Sequence, residues 1–132
     1  MRLLLDTHIA VWLAIKRERL SNAEFGQLAN PDNQLIISAV SIWEARIKWN
    51  LFFRSGTRKG PVDPREMLDL VQALGIAVEP LSAEICASAL STPLAHKDPF
   101  DDLLLTIAQE TGRKLLTRDE QLRGHPLAFH AD

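Results

Sequence analysis

The order of apolar runs along this chain predicts a three-layer α/β/α domain around a central, mostly parallel sheet of four or five strands. Short β-like runs alternate with longer amphipathic stretches, which is the pattern of right-handed crossovers and a sheet covered on both faces. Acidic residues stand where apolar runs pass into helical pattern, the places that form the carboxyl edge of a parallel sheet. No internal repeat, low-complexity tract or linker divides the 132 residues, so residues 1–132 form a single domain.

Taken in order, the first strand falls over 2–5, where Leu3-Leu4-Leu5 runs into Asp6, which can cap a helix over 9–15. An amphipathic stretch predicts the next helix over 22–29, and Gln34 to Ser38 reads as the second strand. A helix over 41–51 follows, with Ser41-Ile42-Trp43-Glu44 fitting a capping box. Arg54-Ser55-Gly56-Thr57-Arg58-Lys59-Gly60-Pro61 has the chemistry of a mobile loop. Beyond it come a helix over 64–74, a strand over 76–79 and a helix over 83–90. Asp98-Pro99-Phe100-Asp101 reads as an N-cap, a proline in the first helical turn and an acid beside the positive end of a helix over 101–111. A strand over 114–117, a further cap in Thr117-Arg118-Asp119-Glu120 and an edge strand over 128–130 complete the domain.

Composition narrows the function classes. Hydrophobic content of 46% is ample for a continuous core, and a net charge of -2 with a pI near 6.1 excludes a generally basic nucleic-acid binder while leaving room for a local basic patch. The single Cys86, in an Ala- and Ser-rich helical stretch, implies a packing role and a reduced, cytoplasmic setting. The opening MRLLLDTHIAVWLAI is only superficially like a signal peptide, since Asp6 and His8 interrupt the apolar run, and no segment has the length to span a membrane.

Four acids carry the chemical signal: Asp6, Glu44, Asp101 and Asp119. Each can be read alone as a helix cap. Capping would accept Ser, Thr or Asn equally, however, and does not explain why the first and last long strands both end in Asp. Two bare carboxylates about 4 Å apart repel by ~1 to 4 kcal/mol at effective dielectrics of 80 to 20, so four together either raise their pKa values or recruit a cation. An all-oxygen set suits Mg²⁺ or Mn²⁺ better than Zn²⁺, and such ions serve phosphodiester chemistry.

Leu3-Leu4-Leu5-Asp6-Thr7-His8, then Ser38-Ala39-Val40-Ser41-Ile42-Trp43-Glu44, then His96-Lys97-Asp98-Pro99-Phe100-Asp101, then Leu115-Leu116-Thr117-Arg118-Asp119 resemble, in order and spacing, the four motifs of PIN-domain ribonucleases. The Trp-Glu and Asp-Pro-Phe-Asp elements are most similar to VapC-type toxins of type II toxin–antitoxin pairs. The resemblance covers residues 1 to about 125. It implies a PIN-like fold and an acidic pocket of Asp6, Glu44, Asp101 and Asp119 that is both catalytic and metal-binding, with Mg²⁺ or Mn²⁺ as cofactor. Asp98 takes second place as a cap or outer ligand, and the hydroxyls of Thr7 and Thr117 orient carboxylates or water. It further implies endonucleolytic cleavage of RNA to a 5′-phosphate and a 3′-hydroxyl, a homodimer, a small antitoxin partner and contact with operator DNA only through that antitoxin. Asp102 departs from the pattern, standing where the family usually has Arg.

Other residues have weaker signals. Arg46, Lys48, Arg54, Arg58, Lys59 and Arg65 face only Asp63 between positions 46 and 65, a local excess of five positive charges readable either as a solvated surface or as an RNA-backbone track made by the first five. Trp43 is expected in the core, and Trp49 with Phe52 and Phe53 in an exposed apolar patch suited to dimerisation or a partner helix. His8 and His96 are expected to serve as structural hydrogen-bonding groups rather than metal ligands, and His125 and His130 give no signal.

Two rival enzyme-like folds fail on motif. A phosphoacceptor receiver domain needs an acidic pair after the first strand, and a haloacid-dehalogenase-like phosphatase needs Asp-x-Asp, whereas this chain reads Asp6-Thr7-His8. The remaining alternative is a PIN fold that binds RNA or a partner without cutting.

Overall fold

A computed structural model describes residues 1–132 and assembles one five-stranded sheet. Its strands are β1 (Arg2–Leu5), β2 (Gln34–Ser38), β3 (Ala77–Glu79), β4 (Lys114–Leu116) and β5 (Ala128–Phe129), ordered β3-β2-β1-β4-β5. Every pairing is parallel, so the expected mostly parallel sheet is wholly so, with β5 on the edge. Six helices cover it: α1 (Thr7–Ile15), α2 (Asn22–Ala29), α3 (Ala39–Trp49), α4 (Pro64–Ala73), α5 (Ala83–Ala87) and α6 (Pro99–Thr111).

Side chains alternate across the strands and divide the core in two. Leu3, Leu5, Ile37 and Leu116 pack with Ile9 and Leu13 of α1, Leu28 of α2, and Met67 and Val71 of α4. On the opposite face, Leu4, Ile36 and Leu115 pack with Leu104, Leu105 and Ala108 of α6. β1 is therefore buried on both sides, which is why it reads as an uninterrupted leucine run. The chain steps from β1 to β2 to β3 on one side, then returns through α5 and α6 to add β4 on the other side of β1. The direction of winding reverses between β1 and β4, and that reversal opens a crevice at their carboxyl ends.

Helix starts depart from the sequence reading for local reasons. α1 begins at Thr7 because the Asp6 carboxylate accepts from the Thr7 N–H. α3 begins at Ala39 because Ser38 is its cap, accepting from Val40 N at 3.1 Å. The expected Ser41–Glu44 capping box therefore does not form; both residues lie inside the helix, on its buried face. The capping box is instead at Ser21 and Glu24, where α2 starts. α5 ends early, at Ala87, where Ser88 turns extended and its hydroxyl donates to the Glu84 carbonyl at 2.8 Å. Asp98 caps α6 as expected, and Gly112 closes it at φ 66°, a left-handed turn that lets the chain enter β4 at once.

Two packing expectations are corrected. Trp43 is 51% exposed and lies against Phe100 with ring centroids 5.7 Å apart, because Ser41, Glu44 and Ala45 take the inward face of α3. Cys86 is exposed rather than packed, on the short α5. Phe52 and Phe53 are exposed as expected, while Trp49 is half-buried with the Arg58 guanidinium 4.4 Å above its ring. The loop of residues 54–61, expected to be mobile, is tied to the residues before it: Phe53 N donates to Thr57 O at 2.8 Å and Lys59 N to Leu51 O at 2.9 Å. No helix is long and apolar enough to cross a membrane.

Gly60 fixes how closely this loop lies on α3. A Cβ at that position would stand 2.5 Å from Trp49 N and 2.8 Å from Lys48 C, both backbone atoms. Gly60→Ala should therefore destabilise the fold by about 1–3 kcal/mol through forced displacement of the loop. Urea unfolding checks this, and an unchanged midpoint would show that the loop shifts freely.

Candidate active site

Asp6 ends the central strand and faces the crevice. Thr117 Oγ1, just past β4, donates to Asp6 Oδ2 at 2.6 Å, and Thr7 N donates to Asp6 Oδ1 at 2.7 Å. Its carboxyl is buried, and burial pushes its pKa above the usual carboxylate range, with the nearby Glu44 charge adding to the rise and the Thr117 hydrogen bond opposing it. Glu44 reaches the same region from α3. Thr7 Oγ1 donates to Glu44 Oε1 at 2.7 Å and lies 2.9 Å from Ser41 Oγ, while Lys48 Nζ pairs with Glu44 Oε2 at 3.0 Å.

Asp101 enters from the first turn of α6. Burial pushes its pKa up to about 6, against a hydrogen bond to His96 Nε2 at 2.9 Å, and the charges of Asp98, Asp6 and Asp119 raise it further. Asp119 follows β4 and caps the short turn Glu120–Leu122, accepting from Gln121 N at 2.9 Å. Its own N–H donates to Thr117 Oγ1 at 3.1 Å, and its carbonyl is held 2.9 Å from His130 Nε2. Asp6 thus feels Glu44, and Asp101 feels both Asp6 and Asp119, which joins the four acids into one electrostatic group.

Each acid is held by neighbours, and as the side chains lie, no three Asp, Glu, His or Cys groups stand close enough together to hold a metal ion. The donor chemistry nonetheless fits a hard dication. The oxygens are carboxylate, the ionisation of Asp6 and Asp101 is resisted by burial and by neighbouring acids, and Lys48 already places a positive charge on Glu44.

The remaining sequence candidates separate. Asp98 caps α6 through Phe100 N at 2.9 Å and influences Asp101 through its charge. Lys48 and Lys59 line a groove with Thr7, His8 and Trp12, next to the acids. Arg58 is spent on the Trp49 carbonyl at 2.7 Å and on the Trp49 and Phe52 rings. Arg46 and Arg65 lie apart, along an apolar groove with Trp43 and Leu68. Arg54 is exposed on the loop and makes no ion pair. Sequence reasoning missed Ser41 as a buttress of Thr7, and it missed the unit of Trp12, Glu24 and Arg118 beside Asp6 and Asp119. The Ser21-Asn22-Ala23-Glu24 capping pattern was the one available signal for that unit.

Comparison with known proteins identifies the family and the fold. The PIN domain family model matches residues 3–126. Ribonuclease VapC22 of Mycobacterium tuberculosis is 30% identical over 125 residues, covering 92% of this chain and 90% of that protein. Among solved structures, VapBC2 from Rickettsia felis bound to a DNA fragment from its promoter has a TM-score of 0.60 at 16% identity, covering 98% of this chain and 97% of that one. A toxin–antitoxin complex from Klebsiella pneumoniae has a TM-score of 0.63 at 19% identity, covering 96% and 95% respectively. At these identities the two structures speak to the fold, while the family match spans nearly the whole chain. The chain belongs to the PIN domain family, among its VapC-type members.

Proposed function

We propose that this protein is a divalent-metal-dependent endoribonuclease and the toxin of a type II toxin–antitoxin module. The observation that carries the reading is the charge coupling of four acids from separate elements, Glu44 with Asp6 and both Asp6 and Asp119 with Asp101, about the carboxyl ends of β1 and β4. Mg²⁺ or Mn²⁺ held by these four acids would supply Lewis acidity toward a phosphoryl oxygen and make water nucleophilic near neutral pH. Within the chain, Thr117 and the Thr7 N–H fix the Asp6 carboxylate, the Thr7 hydroxyl fixes Glu44, and His96 fixes Asp101. Water attacks the phosphorus in line as the bond to the 3′-oxygen breaks, leaving a 5′-phosphate on one product and a 3′-hydroxyl on the other.

Lys48 and Lys59 beside Thr7 and His8 supply positive charge for an RNA backbone approaching the acids. Arg46, Arg54 and Arg58 belong, in this reading, to the outer part of that basic surface. The similarity to VapC22 and to two toxin–antitoxin complexes supports a cognate antitoxin as partner, and the reading extends to a homodimeric toxin that contacts DNA only through that antitoxin. A PIN fold that binds without cutting shares one observation, the engagement of every acid by a neighbour, and substitution of Asp6 separates the two.

Asp6→Asn keeps the side-chain shape and one acceptor oxygen, for the Thr7 N–H, while removing the charge and turning the position that accepts from Thr117 into an amide donor. Cleavage of a mixed RNA pool by antitoxin-free protein in Mg²⁺ or Mn²⁺ should fall by at least ~10²-fold in this variant and vanish in EDTA, an order of magnitude typical for loss of a group stabilising transition-state charge. Equal cutting by the two proteins would sink the assignment, and a folded wild type that cuts nothing would favour the binding module.

The pKa values give a second expectation. Folding raises the pKa of Asp101 from 3.8 to about 6 and raises that of Asp6. The protonated forms therefore favour the metal-free fold: that contribution is complete below about 3.8 and lost as pH rises through about 6. A cation competes with those protons, so Mn²⁺ should raise the Tm measurably at pH 7.5 and little at pH 5. A Tm increase of equal size at both values would show that the ion binds elsewhere.

A further inference from the structure

Beside Asp6 and Asp119 stands an arginine that the acid-centred chemistry does not use. Arg118 lines one depression with Asp6, His8, Trp12 and Asp119, and its orientation is fixed from three directions. Nε donates to Glu24 Oε2 at 2.9 Å, and Nη2 donates to Glu24 Oε1 and to the Arg19 carbonyl. The guanidinium carbon lies 4.4 Å above the Trp12 ring. Glu24 is itself buried and pinned, accepting from Ser21 N at 2.8 Å in the capping box that starts α2. Hydrogen bonding to Arg118 holds the Glu24 carboxyl below its ordinary range, so the clamp stays charged. Nη1 alone has no hydrogen-bond partner in the chain.

An arginine held in this way has given up its rotamer freedom already, and a forked carboxylate on one edge leaves the opposite edge free to donate. On the other side of Trp12, the groove with Lys48 and Lys59 shares His8 and Trp12 with the depression holding Arg118. The two depressions are neighbours, separated by His8 and Trp12. Arg118 shares its depression with Asp6 and Asp119, and Lys48 and Lys59 line the neighbouring one, so a polyanion reaching these acids meets the guanidinium beside them.

Resting on the endoribonuclease reading above, we propose that Arg118, clamped by Glu24 and stacked on Trp12, is a positioning residue that grips the RNA phosphate next to the one being cut. Its role is orientation and grip through Nη1, and it takes no part in bond breaking. Glu24 and Trp12 act through it.

The test is binding of a fluorescein-labelled, mixed-sequence single-stranded RNA to the full chain in EDTA, followed by anisotropy over a range of salt concentrations. Arg118→Ala should weaken binding about tenfold at low salt and lower the slope of log affinity against log salt by ~0.7, the signature of one lost phosphate contact on a single strand. Because this change orphans the Glu24 charge and can impair folding, Glu24→Gln combined with Arg118→Gln is measured in parallel, removing both charges together. It should show the same drop in slope. Glu24→Gln alone should keep the wild-type slope while weakening affinity, because the cation remains but is no longer held. Wild-type slope and affinity in the folded double variant would overturn the positioning role alone. Failure of the wild type to bind any RNA would overturn the underlying reading and this inference with it.

Discussion

The hydrogen bond from Thr117 to Asp6 joins residues 111 positions apart and fixes the geometry on which the crevice depends. It can form only because β1 and β4 are parallel neighbours in register, with Leu5 beside Leu116, so the residues that follow each strand meet at the same edge. The two strands are held there by the fully buried leucines on both faces of β1. Hydrophobic burial sets the register, and the register places the carboxylate. Thr7 then carries the constraint sideways, tying the start of α1 to Glu44 on α3, so that two threonine hydroxyls orient two acids from different elements.

Such a cluster works against the stability of the fold. Burial resists the ionisation of Asp6 and Asp101, and the charges of neighbouring acids add to that resistance. The chain offsets part of the conflict with its own groups: Lys48 on Glu44, His96 on Asp101 and backbone N–H groups on Asp6 and Asp119. These contacts hold each carboxylate apart from the others, which explains how four mutually repelling acids persist at one edge while no three close onto a point. A second charged unit, Arg118 with Glu24, solves the opposite problem at the rim by pairing a buried acid with a half-exposed cation. The charge there is retained and its direction set.

The strand pattern, the alternation with helices and the acids at strand ends were legible because they depend on local periodicity and on chemistry visible one motif at a time. β1 declares itself as a strand buried on both faces by three consecutive leucines, and Asp98-Pro99 declares the start of α6 by cap and fixed φ. Where the reading erred, a neighbour distant in sequence decided. Ser41 and Glu44 have capping-box spacing, yet Ser38 takes the cap and Thr7 claims both residues for an interior contact. Trp43 has the apolar bulk of a core residue, but Ala45 and Glu44 occupy the inward positions and leave the indole outside against Phe100. Cys86 similarly lies on a helix too short to bury it.

By itself, then, the sequence determined the layered α/β class, the order of the elements and the placement of four acids near element junctions, since hydrophobic period and carboxylate position along the chain are local properties. Only the tertiary structure decided which groups hold those acids. Lys48 on Glu44, His96 on Asp101, Thr117 on Asp6 and the clamp of Glu24 on Arg118 depend on which elements become neighbours and on how far each side chain reaches across the gap. The last of these spans 94 positions of sequence, and it exists only because α2 packs beside the end of β4. No spacing along the chain encodes that distance; the packing of the two core faces does.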